Sequence, residues 1–195
     1  MAEPSYFINL KLFVAGDGLI PQDRFIPLFH QWIKEAALDD VLIDVADYRH
    51  VHHGPGVILV GHSANFSLDE ADGRTGLLYS AKRSVTGQLQ DQLKVAFRRV
   101  LDAALLIEQA TADEGPLRFA VDSVLLRVHN RLATRRDADE SSSLEHDIAT
   151  ALRSIFPALN FQSERAGRER EPWSVLLRLD PRPKDVQSFA GKAVC

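Results

Sequence analysis

The sequence predicts an α+β domain with a mainly antiparallel sheet and helices packed on one face. Three observations lead to this class. Segments in which apolar and polar residues alternate, which is typical of half-buried strands, outnumber segments with helical spacing. Turn signals between neighbouring strands, such as "ADGR" at 71–74, favour hairpins. The elements also lack the strict βαβ alternation of a doubly wound fold, which excludes a parallel sheet.

The first third of the chain predicts strand, helix and strand. Residues 6–14 alternate and form a strand. Residues 23–38 carry apolar side chains at helical spacing, with Asp23 as the N-cap and Pro27 near the first turn, where a missing N–H costs least. Residues 41–48 alternate again, which predicts a strand whose inward side chains are Val41, Ile43 and Val45.

The middle of the chain predicts a hairpin followed by the longest helix. The run "VILVGHSANFSLD" at 57–69 is predicted to be one long strand, and 75–83 its hairpin partner across the turn at 71–74. Residues 87–109 place apolar side chains on one stripe, which predicts a helix facing the core, with inward residues Leu89, Leu93, Ala96, Phe97, Val100, Ala104 and Ile107.

The last third repeats the pattern of strand, helix and two strands. Residues 117–132 are predicted to be a strand, and 133–143 a solvated linker. Ser142 and Glu145 have capping-box spacing for a helix at 143–156, which Pro157 ends. Strands are predicted at 158–164 and 173–180, with the polar segment 165–172 between them. Residues 181–195 have no pattern and are predicted to be a loosely held tail.

The order strand, helix, strand, polar arm, strand therefore occurs twice, in the half-repeats 6–62 and 117–180. Two interpretations are open: a divergent internal duplication into two β-α-β-β halves, or a coincidence of spacing, since the halves share almost no residue identity. In either case we expect residues 1–180 to form one compact domain, because 195 residues bury enough surface for a core without disulfides or metal.

Composition excludes several classes of protein. The formal net charge of −4 argues against general nucleic-acid binding, which normally requires a basic surface. The single cysteine, Cys195, cannot form an intramolecular disulfide or a cysteine metal site, which favours a reducing compartment. No signal peptide or membrane-spanning apolar run is present in the sequence, so we expect a cytoplasmic protein without membrane contact.

The stretch "LVGHSAN" resembles the nucleophile elbow of α/β-hydrolases, G-x-S-x-G after a strand, with Ser63 as the nucleophile. Asn65 replaces the last glycine of that pattern, and the residues that follow alternate like a strand, whereas the elbow requires a helix. We therefore interpret the stretch as part of a strand in which Gly61 permits a close approach or a bulge.

Four histidines form a candidate metal site: His50, His52, His53 and His62. Imidazoles are common ligands of zinc, and three of them can hold a divalent metal with one open position. Neither a helical His-x-x-x-His pair nor a His-x-His pair in a clean strand supports the site, so the alternative is a solvated turn that happens to contain histidines.

Four arginines form a candidate site for a small anionic ligand: Arg49 in the first polar arm, and Arg165, Arg168 and Arg170 in the second. The planar guanidinium binds two carboxylate or phosphate oxygens at once. The two arms would form one cationic cleft only if the two halves bring them together. The alternative is that Glu164, Glu169 and Glu171 neutralise the second arm.

These observations favour a non-catalytic cytoplasmic binding or protein-interaction protein that binds a protein partner or self-associates. Its contact surface would be the arm 47–56 and the hairpin 62–83. The alternative function is an enzyme that acts on an anionic small molecule at a histidine-rich site, either by metal-assisted hydrolysis or by acid–base chemistry, with Arg49 holding the anion.

Overall fold

The computed structural model describes residues 6–16, 21–52, 54–82, 88–113, 115–130, 138–166 and 173–193. In this part of the chain eight strands form one antiparallel sheet, and four α-helices pack on one side of it. The predicted α+β class is therefore confirmed. In chain order the elements are β1 (Tyr6–Val14), α1 (Phe25–Glu35), β2 (Leu42–Tyr48), β3 (Gly56–Gly61), β4 (Ala64–Asp69), β5 (Gly76–Ala81), α2 (Leu89–Ala110), β6 (Phe119–Asn130), α3 (Ala138–Ile155), β7 (Asn160–Ala166), β8 (Trp173–Asp180) and α4 (Val186–Ala190).

The order of strands across the sheet is β2-β3-β4-β5-β1-β6-β8-β7. The two central strands, β1 and β6, pair Leu10 with Leu126 and Leu12 with Val124, and all four side chains are fully buried. Because side chains alternate along a strand, this face of both strands is apolar throughout and packs against the helices.

Helix α2 lies over the middle of this face, where it contacts β1 and β5 as well as α3 and α4. Its predicted apolar stripe is confirmed, since Leu93, Ala96, Val100 and Ile107 are buried completely. Helix α1 instead contacts β2 and β3, and α3 contacts β7. Each edge of the sheet thus has a helix of its own.

The C-terminal segment packs closely against the domain, in contrast to the loosely held tail that the sequence predicts. Asp185 caps α4 by accepting a hydrogen bond from the N–H of Ser188 at 2.7 Å. The helix buries Val186 and Phe189 completely. The ring of Phe189 lies 5.1 Å from that of Phe156, so the aromatic core of the domain holds the segment in place.

The predicted long strand 57–69 is divided into β3 and β4 by a tight turn at His62 and Ser63. The two strands pair with each other, for example Leu59 with Phe66. The prediction of one strand is wrong because the side chain that stabilises the turn, Asp40, lies 23 positions from Ser63 in sequence, outside any local pattern.

The two proposed halves occupy corresponding places in the sheet. Each runs strand, helix, edge strand and next strand: β1-α1-β2-β3 in the first and β6-α3-β7-β8 in the second. In the second half β8 pairs directly with β6, whereas in the first half the hairpin β4–β5 lies between β3 and β1. The internal duplication itself stays a prediction.

Candidate functional site

The exposed apolar side chains are concentrated on one edge of the sheet. Among the described residues, the large hydrophobic side chains that are exposed are Val41 (68%), Ile43 (55%), Tyr48 (44%) and Val51 (43%), all within or beside β2. Exposed large apolar residues that are grouped within eleven positions of one edge strand and its turn indicate an interaction site. This edge is therefore the candidate functional site, and we call residues 41–51 the β2 edge.

The inward orientation predicted for Val41 and Ile43 is wrong, although Val45 does pack against the core. Leu42 pairs with Gly61 and Asp44 with Val60, so β2 has one residue more than β3 at this point. This bulge leaves Ile43 without a partner on β3 and resets the alternation of side chains. Simple period-2 counting fails across a bulge.

The hairpin that follows β2 is anchored by the buried side chain of Gln22. Its Oε1 accepts a hydrogen bond from the N–H of Val57 at 2.9 Å, and its Nε2 donates to the carbonyl of Leu68 at 3.0 Å and to Glu70 at 2.7 Å. Gly56 has φ of +65°, and a Cβ there would lie 2.0 Å from Oε1 of Gln22. The position therefore requires glycine.

Beside this anchor is a small polar cavity of about 170 Å³. It lies at the base of the polar arm and is lined by Gln22, Arg49, Val51, Gly54, Gly56 and Glu70. Glu70 and Arg49 give its wall one charge of each sign, so the cavity is not a simple anion site.

The guanidinium of Arg49 is already engaged. Its Nε donates to Oδ1 of Asp47 at 2.9 Å and its Nη2 to Oδ2 at 2.6 Å, a two-pronged ion pair. These side-chain hydrogen bonds, together with one from the backbone N–H of Arg49, lower the pKa of Asp47 from 3.8 to about 2. An anion that bound Arg49 would have to compete with Asp47.

Of the other arginines in the predicted anion site, the one that the structure describes, Arg165, is not brought to Arg49. Arg165 lies on β7, at the opposite edge of the sheet, and is exposed. Four strands separate the hairpin β2–β3 from the hairpin β7–β8. Arg168 and Arg170 lie outside the described residues. One cleft shared by Arg49 and Arg165 is therefore not formed, and anion binding by either arm alone stays a prediction.

The predicted histidine site is likewise divided between two ends of β3. His50 stacks on Tyr48, with ring centroids 6.0 Å apart, and His52 follows in the same turn. His62 lies beyond the other end of β3, about 20 Å away for six extended residues. No group of three or more His, Cys, Asp or Glu side chains is arranged for a metal in the described part of the chain. His53 falls outside that part, so a zinc site involving it stays a prediction.

Ser63 has a structural partner. Its Oγ donates to Oδ1 of the buried Asp40 at 2.9 Å, and Asp40 also accepts from the N–H of Ala64 at 3.0 Å. The chain then continues as β4, where an elbow would need a helix. A Cβ at Gly61 would lie 2.5 Å from the carbonyl of Ala64, which confirms the predicted close approach. Asp40 and Ser63 thus stabilise a turn.

A buried ion pair on the face of the sheet away from the helices was not predicted. Lys11 is 0% exposed, and its Nζ donates to Asp69 at 2.6 Å and to the carbonyl of Ala71 at 2.6 Å. Gly76 makes room for it, because a Cβ there would lie 2.9 Å from Cε of Lys11. A lysine between the apolar residues of a strand is the sequence signal, but its partner Asp69 is 58 residues away.

A second cavity, of about 130 Å³, was also not predicted; it lies between α3 and the hairpin β7–β8. Its walls include Ile148, Leu152, Trp173, Val175 and Leu177, all buried. The sequence places these residues on the inward faces of a helix and a strand, where they are indistinguishable from ordinary core. We call this cavity the α3 groove.

No helix in the described part of the chain combines the length and apolar character needed to cross a membrane. Comparison of the chain with models of known protein families and with curated protein sequences finds no match. Inferences about function therefore rest on the molecule's own surface.

Proposed function

We propose that this is a non-catalytic interaction protein that self-associates by pairing the β2 edge of one copy with the β2 edge of another. The observation that carries the proposal is that, within the described part of the chain, the exposed large hydrophobic side chains all fall in residues 41–51. An edge strand presents unpaired backbone donors and acceptors, and its apolar side chains add burial on pairing.

A two-fold antiparallel pairing makes the edge self-complementary. Centred on Ala46, it places Asp44 of one copy level with Tyr48 of the other, and Val45 level with Asp47. No aspartate then faces another aspartate, and the tyrosine hydroxyl of each copy can donate to a carboxylate of its partner. Such an isologous contact closes on itself and yields a dimer.

In the single chain, one backbone donor of the β2 edge already has a hydrogen-bond acceptor. Asp44 accepts a hydrogen bond from the N–H of Val45 at 2.8 Å, so a side chain occupies a backbone donor of the strand. In the dimer that donor meets a carbonyl of the partner strand and Asp44 turns to the partner's tyrosine. At this donor, pairing only exchanges one acceptor for another and gains little hydrogen bonding, so the gain there comes from the burial of apolar side chains.

The test is sedimentation velocity of the full-length protein over a range of concentrations. We expect a concentration-dependent dimer that Ile43→Lys disrupts, since a charge must be buried on pairing. The matched control is Gln162→Lys, the same new side chain on the exposed edge strand at the other end of the sheet. It should dimerise like the wild type.

A monomer at every concentration would overturn the proposal. So would a dimer that Ile43→Lys and Gln162→Lys affect equally, because the contact would then lie elsewhere. Circular dichroism melts of both variants separate a lost contact from a lost fold.

A further inference from the structure

Besides the β2 edge, the molecule carries a second unassigned feature that does not depend on self-association: the α3 groove at the opposite end of the sheet. Its floor is apolar, since Ile148, Leu152 and Leu177 are at most 3% exposed. Its rim is polar, with Glu145, Arg153, Asn160 and Ser163 at the surface. An apolar floor with a few polar groups is the composition of small-molecule sites.

One wall of the groove contains an unsatisfied donor. Trp173 is 5% exposed, and its Nε1 is buried without a hydrogen-bond acceptor among the described residues. A buried indole N–H normally finds a partner, because leaving it unpaired forfeits the hydrogen bond it makes to water in the unfolded chain. Because this nitrogen is itself shielded from solvent, the acceptor of a ligand reaches it only when the indole ring turns toward the groove, and no partner within the described part of the chain has to be displaced for that movement.

The size and charge of the groove restrict the ligand. A volume of about 130 Å³ is close to that of the apolar cavity, about 150 Å³, that holds benzene in an engineered protein. The rim carries one acid and one base, Glu145 and Arg153, two helical turns apart on α3, so it favours neither sign of charge. A ring-sized, uncharged molecule fits both restrictions.

We propose that the α3 groove is a binding site for a small uncharged molecule that has one ring-sized apolar group and one hydrogen-bond acceptor, which the N–H of Trp173 recognises. The apolar group lies on Ile148, Leu152 and Leu177. The acceptor is a carbonyl or ring nitrogen, because moving a charged carboxylate from water into an apolar groove costs far more than moving an uncharged acceptor.

The test uses two probes that differ in the acceptor: acetophenone, which has a carbonyl, and ethylbenzene, which does not. Binding is followed by NMR of the full-length protein, which has two indole N–H signals, from Trp32 and Trp173. Trp173→Phe assigns them. We expect saturable movement of the Trp173 signal with acetophenone, and acetophenone binding about five- to tenfold more tightly than ethylbenzene.

Two variants separate the groove from the rest of the surface. Ala149→Phe adds a ring where an exposed alanine lines the groove, and should abolish binding of both probes. Thr150→Phe adds the same ring at the next exposed position of α3, which does not line the groove, and should leave binding unchanged.

Unmoved Trp173 signals, equal affinity for the two probes, or binding that survives Ala149→Phe would each overturn the proposal. Should Trp173→Phe fail to fold, the wild-type comparison of probes and the Ala149 and Thr150 variants still decide it. A monomeric wild type would overturn only the proposed dimer and leave this site intact.

Discussion

The two edge strands of the sheet, β2 and β7, expose side chains of opposite character. At one edge β2 exposes Ile43 and Tyr48, with Val41 and Val51 beside it. At the other edge β7 exposes only polar side chains: Asn160, Gln162, Ser163, Glu164 and Arg165. Proteins protect edge strands with charged and polar residues because an apolar edge pairs with other chains. The far edge, β7, is protected in this way, whereas the near edge, β2, exposes large apolar side chains beside its two aspartates, Asp44 and Asp47.

The helices beneath the two edges differ as well. Under the near edge, α1 buries Phe25, Phe29 and Trp32, and neighbouring rings lie 5.3–6.1 Å apart. Under the far edge, α3 and β8 leave the groove lined by Trp173. The near edge therefore combines exposed apolar side chains with a small polar cavity, whereas the far edge combines exposed polar side chains with an apolar groove. Equivalent positions in the two proposed halves thus carry different candidate sites.

Loss of the Gln22 side chain, which anchors the near edge, should cause the greatest destabilisation. Gln22→Ala leaves the buried N–H of Val57 and carbonyl of Leu68 without their side-chain partner. We expect the free energy of unfolding to fall by about 1–3 kcal/mol, measured by urea denaturation, and dimerisation to weaken. Gln31→Ala is the control, because Gln31 is exposed and bonds only to Glu35 on its own helix. Equal stability of the two variants would contradict the anchor.

Apolar substitutions on β7 should make the far edge associate in the way we propose for the near edge. Gln162→Val with Glu164→Val replaces two exposed polar residues of β7 by apolar ones and also removes the ion pair of Glu164 with Arg178. We expect association beyond the dimer, because each copy then has two apolar edges, detected by light scattering. The variant carrying Ile43→Lys as well should stop at a dimer formed through β7. Unchanged association would show that exposed polarity is not what protects this edge.

The smallest effect concerns the ion pair on the near edge. Arg49→Gln removes the side-chain hydrogen bonds that hold the pKa of Asp47 at about 2, so the pKa should rise towards its usual 3.8. Because the folded pKa is the lower one, Asp47 contributes stability above pH 3.8 that is lost as the pH falls through 2. NMR titration of the carboxyl carbons measures this. Asp185 is the internal control, since Ser188 lowers its pKa independently of Arg49.

Much of the fold follows from local pattern. The apolar stripe of α2 and the alternation of β1 predict these two elements well, because each has a continuous buried face. All seven predicted inward residues of α2 are buried. The α+β class follows because hairpins and few helices leave little choice of architecture. The candidate sites were harder to predict: the arm 47–56, which contains Arg49, overlaps the β2 edge, but His50 and His62 lie at opposite ends of β3.

Local periodicity alone predicts most of the strands and helices and the inward faces of β1 and α2, because periodicity is a property of neighbouring residues. Which strands are edges depends on the tertiary structure. Val41 and Ile43 alternate as Ile8 and Leu10 do, yet β1 is central and β2 is not. The pairs that fix the turns and the buried charge, Ser63 with Asp40 and Lys11 with Asp69, join residues 23 and 58 positions apart. Contacts at that separation depend on the order of strands, which no local pattern contains.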